Sequence, residues 1–211
     1  EFDITNYNDF NNFRYTETLD LTGSGFNFKL GFIARPVNFL RIGGALHIPT
    51  YYYIKETYDA NMKSYFDNGD NYNAQPTDIN GNLLDVGAYK YYLVTPLRAM
   101  GGISLQIGKV ALLAADAEYV SYSSMRYRNY DAEYDITTYN DIIRDTYKSV
   151  LNLKGGGELR FGQLSVRAGA GYYPSPYKKG ELNEKAGSLE FTTGVGYRDQ
   201  NFFIDMGFSA L

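Results

Sequence analysis

KGGGELRFGQLSVRAGAGYY, residues 154–173, is the stretch on which the fold turns. Leu153, Leu159 and Phe161 alternate with Lys154, Glu158 and Arg160; beyond Gly162-Gln163, Leu164, Val166 and Ala168 alternate with Ser165 and Arg167. Strict period two on both sides of a two-residue connection predicts an antiparallel hairpin with one apolar and one charged face.

The pattern repeats outward. Residues 13–35 and 38–58 flank Pro36-Val37, 85–107 and 110–128 flank Gly108-Lys109, 144–161 and 164–173 flank Gly162-Gln163, and 187–198 and 201–210 flank Asp199-Gln200. Four hairpins give about eight strands, several of them about 20 residues long, which at about 3.3 Å per residue would reach roughly 65 Å. Segments 59–84, 129–143 and 174–186 are rich in Asn, Asp, Gly, Pro and Tyr and are predicted to be loops. All long connections then fall at one end of the sheet and all tight ones at the other.

Composition agrees with an all-β chain. The 211 residues include 22 Tyr, 13 Phe and 22 Gly and no Trp, a makeup that suits pleated surfaces more than helices. The absence of cysteine rules out disulfides and thiolate metal sites, and a lone histidine, His47, leaves little basis for a zinc site or a Ser-His-Asp triad. A net charge of −4 argues against a nucleic-acid partner. No segment reaches the roughly 20 apolar residues of a spanning helix, and residues 1–13 lack the features of a signal peptide, so a mature chain or a fragment is expected.

Period two puts Phe26, Phe28, Leu30, Phe32, Leu40, Ile42, Leu46 and Ile48 on one face. Ile103, Leu105, Ile107, Leu113, Leu151, Leu153, Leu159, Phe161, Leu164, Val166, Leu189, Phe191, Val195, Ile204, Met206 and Phe208 continue it. The other face carries 13 charged residues, eight basic and five acidic: Lys29, Arg35, Arg41, Arg98, Lys154, Arg160, Arg167 and Arg198 with Asp116, Glu118, Glu158, Glu190 and Asp205. This second face cannot be a dry core, because each unpaired buried charge would cost several kcal/mol. Two readings remain: the apolar face packs on a second protein layer, or it meets lipid as the outside of an antiparallel transmembrane β-barrel. Tyr51, Tyr52, Tyr53, Tyr119, Tyr122, Tyr172 and Tyr173 near the loops, and Phe32, Phe39, Phe161, Tyr197 and Phe202 near the tight turns, are placed as two interfacial girdles.

Three blocks, GSGFNFKLGFIARPVNFLRIGGALHIPTYY (23–52), TPLRAMGGISLQIGKVALLAADAEYVSYS (95–123) and LNLKGGGELRFGQLSVRAGAGYYPSPY (151–177), resemble the FadL/TodX-type outer-membrane transporters, notably those of Bacteroidetes-like bacteria. The resemblance implies a 14-stranded barrel with an N-terminal hatch, carrying long-chain fatty acids or other hydrophobic small molecules across the bacterial cell outer membrane. This chain departs from that pattern, with about eight strands and no hatch segment, so residues 1–211 are expected to be one barrel region of a larger barrel. A self-closed eight-stranded barrel is the alternative. The implied partners are a fatty-acid or detergent-like ligand and membrane lipid or lipopolysaccharide. FadL-like barrels also serve in secretion machinery, which would put a protein partner at the loops.

No catalytic, cofactor or metal site is expected. Arg41, Arg98 and Arg167 are candidate substrate-binding residues, since guanidinium can hold a carboxylate through two hydrogen bonds; cross-strand pairing within the wall is the plainer role. His47 joins them because Pro49, two residues on, should break the strand ladder and could open a side exit. Residues 78–82, DINGN, imitate part of a calcium loop but lack its glycine position and terminal Glu, and are predicted to be a turn. Asp116 and Glu118 share a face without a cleft or partner base, and GGG at 155–157 lacks the helix and Lys of a phosphate loop.

Overall fold

A computed structural model of the protein describes residues 10–74, 87–130 and 135–211. The fold is all-β and antiparallel, with 70% strand and 7% helix, so the expected dominance of strand holds. The main sheet has eight strands in the order β13-β12-β11-β10-β8-β7-β3-β2. They are β2 (Lys29–Val37), β3 (Leu40–His47), β7 (Arg98–Ile107), β8 (Ala111–Ser121), β10 (Ser149–Phe161), β11 (Leu164–Tyr173), β12 (Ser188–Arg198) and β13 (Phe203–Ala210). A second sheet continues the first four of these beyond the long-connection end: β1 (Phe10–Phe26), β4 (Tyr51–Phe66), β6 (Gly87–Val94) and β9 (Arg126–Asn129) pair in that order, with β5 (Asn71–Ala74) beside β4. Each strand of the main sheet is hydrogen-bonded to the next in the chain's up-and-down order. Among the described residues β2 and β13 are free edges, and the sheet is open rather than a detected closed barrel.

The expected 20-residue strands are therefore interrupted. Pro49 and Pro96 lie in facing gaps, 48–50 and 95–97, where a missing N–H stops the ladder. Thr50 donates its N–H to Thr95 Oγ1 at 2.8 Å, while Thr95 donates to the Thr50 carbonyl at 3.0 Å. The opposite boundary is made by a 3-10 turn at Tyr122–Ser124.

Other boundaries move too. The first tight turn is Asn38-Phe39, not Pro36-Val37, because Pro36 sits in a register shift between Ala34 and Val37. Gly108 and Gly162 take the left-handed φ values of 60° and 63° that their turns require. Residues 59–66, expected as loop, belong to β4, and part of the 129–143 segment forms the helix α1 (Thr137–Thr146), which also takes in Arg144. The DINGN segment lies outside the described residues.

The register keeps the two faces apart across the whole main sheet. Leu30 opposes Leu46, Ile42 opposes Ile103, Leu105 opposes Leu113, Leu159 opposes Val166, and Val195 opposes Met206. Among the described residues no other element covers this face: Phe28 is 54%, Leu105 37% and Phe191 57% exposed. Buried apolar side chains among the described residues are Ala60, Val94, Val120 and Val150 alone, so those residues supply no second protein layer over this face.

The helix closes one edge. Asn140 of α1 accepts the Tyr127 N–H at 2.8 Å and donates its side-chain amide to the Tyr127 carbonyl at 3.0 Å, occupying the outer side of β9. Asn140→Leu removes both bonds at similar volume and should cost about 1–2 kcal/mol of local stability. The check is hydrogen exchange at the Tyr127 amide, which should speed up about tenfold while amides of β11 stay protected.

Candidate functional site

The charged face of the main sheet holds two adjoining hollows. One, about 600 Å³, has walls from β8 and from β10 to β13 and includes Asp116, Lys154, Glu158, Arg167, Glu190 and Asp205. The other, about 540 Å³, is bordered by Arg41, Met100, Ser104, Glu118 and Asn152. Asp116 and Lys154, direct cross-strand partners, lie between the two.

Glycines let the charges reach across the face. Gly102 lies beneath Asp116, and a Cβ there would collide with its carboxylate. Arg167 of β11 accepts no acidic neighbour on β12, where it opposes Gly194; its guanidinium reaches over that strand to donate to Asp205 Oδ1 on β13 at 2.6 Å. A side chain at Gly196 would strike Asp205 and come within 2.6 Å of Ser165 Oγ. On its other side Arg167 donates to Glu158, which also receives Arg160. One arginine thus ties β10 to β13.

Arg98 and Glu118 form a looser pair at 3.4 Å, and the second Glu118 oxygen accepts the buried Asn152 amide at 3.1 Å. Tyr173, expected in a girdle, instead lies on the charged face: its hydroxyl donates to Glu190 at 2.8 Å, and Lys154 Nζ stands 5.4 Å from its ring centre. Tyr119 and Tyr172 are exposed at the loop end of the apolar face.

The four candidate residues do not converge. His47 opposes Arg98 at the loop end of the sheet, while Arg41, six residues along β3, is about 20 Å away near the tight turns. Arg167 lines the other hollow and has two acidic partners. Among the described residues Arg41 and Lys154 have no ion-pair partner, although Lys154 faces Asp116 across the strands and its ammonium stands over the Tyr173 ring. Sequence reading had Arg41 but passed over Lys154 as a ligand group; its facing partner, Asp116, would have hidden the difference. No group of three or more metal-ligating side chains occurs among the described residues.

A third hollow, about 410 Å³, lies in the second sheet and was missed in the sequence. Its walls include Tyr91, Tyr127 and Tyr139, with Tyr127 packed edge-on against both other rings. Tyr91 donates to Glu56 Oε2 at 3.1 Å, and burial, then that bond, pushes its phenol up to about 12. Asp135 accepts the Thr137 N–H at 2.9 Å just before α1, which holds its carboxyl below the usual range. Comparison with known protein families, curated proteins and solved structures finds no match.

Glu158→Ala should lower thermal stability by about 1–2 kcal/mol, discounted for the half-exposed arginines, because Arg160 and Arg167 both lose a partner. Arg160→Ala should cost less than half of that. Thermal unfolding in detergent micelles measures the ranking; equal effects would mean the β10–β13 tie carries no special weight.

Proposed function

We propose that this chain is wall of an outer-membrane β-barrel, its apolar face against lipid acyl chains and its charged face toward a hydrated bore, and that it passes hydrophobic solutes such as long-chain fatty acids. The observation that carries this reading is the uncovered apolar face lying in unbroken cross-strand register behind hollows floored by ion pairs. In water each large side chain on that face would forgo about 1.5–3 kcal/mol of burial. A bilayer supplies that burial without a second protein layer.

Strand length supports the same reading. Main-sheet strands run from 8 to 13 residues, bracketing the 9–11 residues a tilted strand needs to span a hydrocarbon core. The second sheet, with its tyrosines and charged side chains, would then stand beyond the membrane. Arg41 and Lys154 are the groups for a solute's carboxylate, since Arg98 and Arg167 are already engaged by acids. The resemblance to FadL/TodX-type transporters points to the same solute class.

The natural lack of cysteine makes the topology directly testable. Single cysteines at Leu113 and Val166 should resist a membrane-impermeant maleimide in proteoliposomes, whereas cysteines at Glu118 and Ser165 should label. Equal labelling of both sets would overturn the membrane assignment. For the solute, Arg41→Ala should slow uptake of a long-chain carboxylate at least about threefold more than uptake of a neutral hydrocarbon of equal length. Equal slowing would remove the headgroup role and leave the wall assignment standing.

A further inference from the structure

The hollow in the second sheet is chemically unlike the two below it. Tyr91 and Tyr127 project from neighbouring strands β6 and β9, and Tyr139 comes from α1. Tyr91 and Tyr127 have centroids 5.5 Å apart and planes at 65°; Tyr127 and Tyr139 stand at 6.3 Å and again 65°. Rings inclined in this way make the adjoining walls of a box, where a flat stacking platform would need them coplanar. Glu56, opposite Tyr89 on β4, adds a half-buried carboxylate at the same hollow.

Charge gives the guest its sign. Glu56 accepts the Tyr91 hydroxyl, and among the described residues it has no ion-pair partner. Lys90 also lines the hollow, and its ammonium stands 5.6 Å from the centre of the Tyr130 ring. Aromatic faces carry negative electrostatic potential, and a desolvated box of them attracts cations, most strongly weakly hydrated ones such as methylated ammonium. Within the hollow Tyr91 and Tyr127 are half-buried and Tyr139 is 62% exposed.

We propose that Glu56, Tyr91, Tyr127 and Tyr139 form a binding site for a small organic ammonium group of the choline type. An inorganic cation would need more oxygen ligands than one carboxylate and phenols provide. A neutral apolar guest would leave Glu56 without a counter-charge. The site lies outside the main sheet and does not depend on the transport reading.

Choline and its uncharged isostere 3,3-dimethyl-1-butanol separate charge from shape. Titration of the folded protein, followed by calorimetry and by tyrosine fluorescence in this tryptophan-free chain, should give choline binding at least about tenfold tighter than the isostere. Glu56→Gln and Tyr127→Leu should each weaken choline about tenfold. Tyr91→Phe keeps the ring and frees the carboxylate, so its affinity should stay within about twofold. Circular dichroism checks that each variant is folded. Glycerophosphocholine binding more tightly than choline would assign a lipid headgroup as the source, and binding more weakly a free amine. Equal affinity for choline and the isostere, no binding of choline, or an unchanged Glu56→Gln variant would overturn the proposal.

Discussion

Everything in the main sheet depends on parity. A strand's side chains alternate between faces, so slipping any one strand by a single residue would carry its aliphatic set onto the charged side and its arginines onto the apolar side. Apart from the shift at Pro36 in β2, the eight neighbouring strands avoid this: Ile42 meets Ile103 on one face while Arg41 meets Ser104 on the other, and Leu159 meets Val166 while Glu158 meets Arg167. The penalty for slippage is large on both faces, which fixes the register far more firmly than strand propensity alone. Tight turns at one end then bring successive strands together in chain order.

Residues of the charged face solve a different problem, that of joining strands that are not neighbours. Backbone bonds link only adjacent strands; Arg167 links three steps of the sheet by reaching over glycines to Asp205 while holding Glu158. Small residues below are the condition for this, since a Cβ at position 196 would occupy the space of the pair. The hollows are thus a product of the same glycines that allow the ion pairs to form. Arg41 and Lys154 stand out against that background because, among the described residues, neither is held in an ion pair.

Much of the fold was legible because alternation is a local signal. The KGGGELRF and QLSVRAGA arms announce their two faces within a few residues, and each main-sheet strand begins or ends within a few residues of where that alternation does. Less legible were the features that depend on distant partners. The breaks near Pro49 and Pro96 face each other, but only the pairing of β3 with β7 reveals that they form one boundary. The helix α1 was obscured by Asn, Asp and Tyr residues typical of loops; Asp135 two residues before Thr137 was its available signal, through the side-chain bond to that N–H. The tyrosine box joins residues 56, 91, 127 and 139, which no spacing rule relates.

The Asn140 side chain has a consequence beyond its own two bonds. A carboxamide carries the same donor and acceptor as a peptide group, so at Tyr127 it imitates one link of an incoming chain. Exposed margins of β-structure tend to recruit further segments and so seed fibres. Here a single side chain occupies that margin at Tyr127, so an incoming segment would find this peptide group already bonded.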